Sequence, residues 1–135
     1  MHIFLIDDDP VMVKLQTMIL TRAGHTVTTE VDSDVAMSRI KELRPDCVVT
    51  DLMMPGIDGY QLISLIRKEP DLGHVIIIVL SSKMFPQDRR QAFEFGANGF
   101  ISKPISPATF LEKVAEIIEN PDKAPNEALN NNSGA

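Results

Sequence analysis

The chain has 135 residues, 44% of them apolar, with a formal net charge of -6 and an isoelectric point near 4.9. That size and composition fit one domain with a single core, while the acidic balance, with no basic cluster longer than Arg89-Arg90, excludes a surface that grips nucleic acid by neutralising phosphates. No apolar run approaches the roughly 18 residues of a membrane span, and the N-terminus lacks the basic stretch and cleavage site of a secretory leader, so the expectation is a cytoplasmic protein binding neither membrane nor nucleic acid.

In chain order, Ile3-Phe4-Leu5-Ile6 (residues 3–6) is a strand-length apolar run ending in Asp7-Asp8. Asp9 followed by Pro10 puts a capping side chain before a proline at the first helical position, so Asp9 reads as a cap rather than as a further ligand. Val11, Leu15, Met18 and Ile19 then recur at the helix period until Gly24 stops the helix. A second strand is predicted over 26–29, and a second helix through Val35, Ile40 and Leu43.

Residues 47–50, Cys47-Val48-Val49-Thr50, form a third strand that closes on Asp51 and runs at once into Leu52-Met53-Met54-Pro55-Gly56. Cys47 is the single cysteine, and inside so apolar a run it reads as a small buried hydrophobe. Asp58, in Gly-Ile-Asp-Gly, reads as a turn or helix start ahead of Leu62, Leu65 and Ile66.

Residues 75–80 are apolar without a break and are followed by Ser81-Ser82. A helix through Ala92, Phe93 and Phe95 stops at Gly96, and a fifth strand, 99–102, ends in Lys103-Pro104. Ser106-Pro107 repeats the pairing of cap and proline before a last helix through Phe110, Val114, Ile117 and Ile118. His2, His25 and His74 are scattered at element starts with no metal-ligand spacing, and read as surface or packing residues. Met84 and Phe85, just beyond the fourth strand, are candidates for contact with a partner. Residues 121–135 carry too little apolar surface to offset the entropy of ordering them, which leaves 1–120 as the domain and a flexible tail or linker after it.

Five alternations of strand and helix predict an α/β fold, a parallel sheet with helices on both faces. In such a sheet the functional crevice lies beyond the carboxyl ends of the strands, so topology gathers Asp7, Asp8, Asp51, Ser81 and Lys103. Three neighbouring carboxylates repel unless cations compensate. All-oxygen ligands suit a hard ion such as Mg2+, and with Lys103 such an ion balances the acids and leaves room for a phosphoryl group. Asp51 then reads as a carboxylate nucleophile, with Ser81 as a hydroxyl donor to the product.

These pieces, Asp7-Asp8, Asp51 with Met54-Pro55-Gly56 and Asp58-Gly59, Ser81-Ser82, and Lys103-Pro104, resemble the receiver domain of two-component response regulators, in form close to the single-domain chemotaxis regulators. They stand in family order at spacings of 43, 30 and 22 residues from Asp8 through Asp51 and Ser81 to Lys103, and the likeness covers residues 1 to about 120. The resemblance implies a flavodoxin-like, doubly wound five-stranded sheet of order 2-1-3-4-5 with five helices. It also implies that Asp8 ligates Mg2+ directly, that Asp7 assists largely through water, and that the Met53 backbone carbonyl completes the protein ligands.

Asp51 is then the phosphoryl acceptor from a sensor histidine kinase or phosphotransfer protein. The resemblance further implies that Lys103 bridges the phosphoryl group and an acid, that the Lys103-Pro104 peptide is cis, and that Ser81 moves toward the phosphoryl group after transfer. Phe100 occupies the family's aromatic switch position, although a plain core phenylalanine accounts for it equally. Output is a changed surface over the helix from Pro86, the strand at Phe100 and the helix from Pro107, read by a downstream effector protein or output domain. No separate substrate is turned over; the chain catalyses its own phosphorylation and self-dephosphorylation. The latter is expected to be slow, because the Met53 thioether cannot orient an attacking water, with Lys83 as a possible modulator. Two rival readings share parts of this pattern: a Mg2+-dependent aspartyl phosphohydrolase, which would want a general acid where Met53 stands, and a phosphorylation-independent docking receiver.

Overall fold

The computed structural model describes residues 1–82 and 85–122. Strands β1 (His2–Ile6), β2 (Thr26–Glu30), β3 (Cys47–Thr50), β4 (Ile76–Ser81) and β5 (Gly99–Ser102) alternate with helices α1 (Pro10–Arg22), α2 (Ser33–Leu43), α3 (Gly59–Lys68), α4 (Pro86–Phe95) and α5 (Pro107–Glu119). A single 3-10 turn, Pro70–Leu72, precedes β4. The strands form one parallel sheet of order β2-β1-β3-β4-β5, the flavodoxin-like arrangement expected from the sequence. Strand order reverses at β1, whose neighbours are β2 and β3, so the crevice opens above β1 and β3.

Each strand splits its apolar residues between two cores, because successive side chains point to opposite faces. Phe4, Ile6, Val48, Ile77, Val79 and Phe100 pack with Ala36, Ile40, Leu62, Ile66, Ala92 and Phe93 of α2, α3 and α4. Ile3, Leu5, Val49, Ile78, Leu80 and Ile101 pack on the other face with Ile19, Leu20, Phe110 and Val114 of α1 and α5. Burying each such side chain contributes about 1.5–3 kcal/mol, which is why the strands need no polar alternation. Cys47 lies in the second core, where burial, with the nearby Asp46 charge, pushes its thiol up to about 12, an inert hydrophobe as its surroundings in the sequence predict.

Of the helix starts expected from Asp9, Asp58 and Ser106, two are capped by their side chains and one is not. The Asp9 carboxylate accepts from Val11 N, and Asp58 makes a reciprocal capping box with Gln61 at the start of α3. Ser106, expected to cap α5, makes no such bond, and α5 starts on its proline alone. β2 runs one residue further than predicted, to Glu30, and β4 is shifted one residue onward to include Ser81. Among the histidines, His2 Nε2 pairs with Thr28 Oγ1 at 2.8 Å, a packing role. Among the described residues no helix is long and apolar enough to cross a membrane.

The amino-end edge of the sheet is closed by a polar network. Arg67 of α3 donates from Nε to Gly96 O at 2.9 Å, from one terminal nitrogen to Gly73 O at 3.3 Å, and from the other to Asn98 Oδ1 at 2.8 Å. Asn98 Oδ1 also accepts from Ile77 N, and Asn98 Nδ2 donates to Pro121 O at 3.1 Å. The chain is therefore tied to the domain at Pro121, the first residue of the expected tail, while 123–135, together with Lys83 and Met84, lie outside the described residues.

Candidate functional site

At the opposite edge, β1, β3 and β5 each hand their next residue to the same crevice, with β4 lying between β3 and β5. Lys103 Nζ, one residue past β5, donates to Asp7 Oδ2 at 2.9 Å and to Asp51 Oδ2 at 2.8 Å. The remaining oxygens of the two acids are held by main-chain donors: Asp9 N on Asp7 Oδ1 at 3.0 Å and Met53 N on Asp51 Oδ1 at 3.1 Å. Asp7 and Asp51 are buried, Asp8 is exposed, and one carboxylate oxygen from each of the three lies within 4.8 Å of the others.

Electrostatically the cluster is lopsided. Burial on its own would lower the Lys103 ammonium, but its hydrogen bonds to Asp51 and Asp7, reinforced by their charges, raise it above the usual lysine range. Even so, among the described residues three carboxylates around one ammonium leave negative charge in excess. An all-oxygen donor set of this kind, carrying surplus negative charge and open on the Asp8 side, fits a hard divalent cation such as Mg2+.

The turn after β3 is shaped by packing. Gly59, the first residue of α3, donates its N–H to Leu52 O at 3.0 Å, and a β-carbon there would collide with the Asp51 carbonyl oxygen. Only glycine lets α3 approach so closely, which fixes the main chain of Asp51 against the helix start. Gly56 turns the chain at φ +80, a conformation that favours glycine. Thr50 Oγ1 donates to Asp51 O, so both faces of that peptide are held.

Of the residues singled out in the sequence, Asp7, Asp8, Asp51 and Lys103 are brought together. Ser81 is fully buried at the end of β4, and its carbonyl accepts from Lys103 N at 2.9 Å, so the two strand ends are joined through their backbones. The Met53 side chain is exposed, while its main chain stays bonded to Asp51. Phe100 is nine-tenths buried in the core under α2, α3 and α4, with the Arg89 guanidinium of α4 stacked 5.8 Å from its ring centre. Among the described residues Phe85 is, after Val11, the most exposed large apolar side chain. Ser33, the buried first residue of α2, is signalled in the sequence only by the polar pair Asp32-Ser33 that opens the helix.

Comparison with known proteins agrees with this geometry. The profile of the response regulator receiver domain matches residues 3–115. The probable transcriptional regulator ycf27 of Porphyridium aerugineum is 35% identical over 132 residues, 98% of this chain and 54% of the relative. The DNA-binding dual master transcriptional regulator RpaA of Synechocystis is 29% identical over 94% of this chain and 53% of its own length. The chain thus spans about half the length of the curated relatives it matches.

Among solved structures, the BeF3-activated receiver domain of RstA from Klebsiella pneumoniae superposes with TM-score 0.80 at 28% identity, covering 87% of this chain and 98% of that one. Chemotaxis protein CheY4 of Vibrio cholerae, at 23% identity and TM-score 0.82 over 86% of this chain and 97% of that one, shares the fold. By sequence profile, by relatives and by sheet order, this chain belongs to the response regulator receiver domain family of two-component signalling.

Proposed function

We infer that the chain is a phosphorylation-dependent signalling switch in which Asp51 accepts a phosphoryl group from a histidine kinase or phosphotransfer protein in a Mg2+-dependent reaction. The observation that carries this reading is the placement of Lys103 between Asp7 and Asp51, with Asp8 alongside. A lone pair of the Asp51 carboxylate forms the new O–P bond as the P–N bond of a phosphohistidine breaks, and the electrons of that bond return to the donor's imidazole. Lys103 meets the incoming negative charge with an ammonium already in place.

Asp8, Asp7 and Asp51 with the Met53 carbonyl would hold Mg2+, which supplies positive charge to the oxygens of the group in transit. Ser81 joins the new charge to β4, and its backbone bond to Lys103 gives the change a route into β5 and Phe100. The face formed by α4, β5 and α5 is the surface whose partner affinity then changes, whether the effector is a separate protein or an output domain. Turnover of a separate substrate is not favoured, since the residue two beyond Asp51 is Met53, whose thioether has no proton to give.

The test uses a small-molecule phosphodonor with Mg2+ and intact-mass detection. The wild type gains one phosphoryl group, Asp51→Asn gains none, and chelation of divalent ions stops the reaction. Equal labelling of Asp51→Asn would show that the acceptor lies elsewhere.

A further inference from the structure

The turn between β3 and α3 carries Met53 and must hold its shape while charge enters and leaves the crevice. Its two ends are secured by the residues around it: Met53 N on Asp51 at the start, and the Asp58 capping box with the Gly59–Leu52 bond at the finish. The middle, Met54-Pro55-Gly56, is bound differently. Ser33 Oγ, in the first turn of α2, donates to Pro55 O at 2.5 Å across 22 residues of sequence. Ser33 is buried, so this bond is shielded from competing water.

Next to it, Gly56 lies so near the Asp34 carboxylate that an added β-carbon would stand 2.5 Å from Asp34 Oδ1. The main chain of Asp34 is held in turn, since its N–H donates to the Asp32 cap at 3.0 Å. Met54, the residue before Pro55, is buried in the core cluster that also holds Ala36 of α2. A hydrogen bond, a close approach and a shared core therefore link the middle of this turn to one helix that contributes nothing to the carboxylate cluster itself.

We propose that Ser33 is a positioning residue for the carboxylate site: by holding Pro55 O it fixes the main chain of Met53–Gly56, and with it the cation affinity of the Asp7, Asp8 and Asp51 cluster. This rests on the reading of that cluster as a Mg2+ site. With the Ser33 hydroxyl removed, the Pro55 carbonyl loses its partner and swings toward water, so the turn exchanges one defined shape for several. Groups that orient a ligand without touching the ion typically change metal affinity by about ten-fold or more when removed, and the effect here belongs at the lower end of that range.

The experiment compares wild type, Ser33→Ala and Ile40→Val, the last trimming the core toward the far end of α2 and leaving the Ser33–Pro55 bond in place. Mg2+ affinity is measured by titration calorimetry, and amide exchange at Met54 and Gly56 is measured in the absence of Mg2+. Ser33→Ala is expected to bind Mg2+ about ten-fold more weakly and to exchange faster at Met54 and Gly56. Ile40→Val is expected to lose stability with affinity and local exchange unchanged. Wild-type exchange and wild-type affinity in Ser33→Ala would overturn the proposal, as would equal weakening in both variants, which would mark a general softening of α2. If the wild type itself binds no Mg2+, the site reading fails, and faster exchange in Ser33→Ala would then report a clasp on the turn alone, without the metal-positioning role.

Discussion

The two edges of the sheet handle buried charge in opposite ways. At the amino edge, Arg67 spreads one cation over two backbone carbonyls and an amide oxygen, and Asn98 passes the network on to Ile77 and Pro121, so the donors are matched to acceptors. At the carboxyl edge, Lys103 serves two acids while a third stands exposed beside them. One edge is saturated and behaves as architecture. The other retains acceptor capacity, and a site that keeps such capacity can bind something and change when it does.

The sharpest way to break this contrast is Lys103→Met. Phosphoryl uptake from a small donor should fall by about 100-fold, the order expected when a preplaced charge is removed from a transferring group. The same variant has a pH signature. Because the folded-state value of Lys103 lies above its ordinary 10.5, its contribution to stability is complete below that pH and is lost as pH rises through the higher folded value. Urea unfolding above pH 10.5 should therefore decline more steeply in the wild type than in Lys103→Met, Tyr60 and Cys47 being common to both. Parallel declines would mean that the ion pairs add nothing.

Arg67→Ala should do the reverse, costing about 2–3 kcal/mol through its lost hydrogen bonds and stranded acceptors while leaving phosphoryl uptake intact. A matching loss of uptake would show that the amino edge is coupled to the chemistry.

A smaller effect sharpens the idea of surplus charge. Asp8→Asn should stabilise the metal-free protein by about 0.5 kcal/mol by relieving repulsion, and should remove the gain in thermal stability expected when Mg2+ is added to the wild type. A destabilised metal-free variant would mean that Asp8 makes a favourable contact in the absence of the ion. Smallest is Met53→Asn, in which an amide able to orient water replaces an exposed thioether. Loss of the acyl phosphate should quicken several-fold, and equal or slower decay would refute a role for this side chain in phosphoryl lifetime.

What the sequence revealed and what it concealed divide along a physical line. Asp7, Asp51 and Lys103 were legible because each ends an apolar strand, and parallel topology alone brings strand ends together. Asp9 and Asp58 were legible because a cap acts on residues next to it in sequence. Ser106 has the same local pattern, yet a cap needs its side chain turned inward, and rotamer choice leaves no trace in composition. The bonds from Ser33 to Pro55 and from Arg67 to Asn98 span 22 and 31 residues with no periodic pattern to announce them. Gly59 could be noted as part of a motif, but that its missing side chain makes room for the Asp51 carbonyl is a matter of ångströms.

The distances along the chain between the partners of Lys103 bear on how the protein comes to exist. Its contacts with Asp7 and Asp51 close intervals of 96 and 52 residues. Contacts of such long range form late, after the intervening loops have given up their freedom. During synthesis Asp7 emerges 96 residues ahead of Lys103 and waits for nearly the whole domain before its cation arrives. A nascent or truncated chain ending before β5 therefore carries the acids without the lysine, and competence to signal is acquired only when the last strand docks.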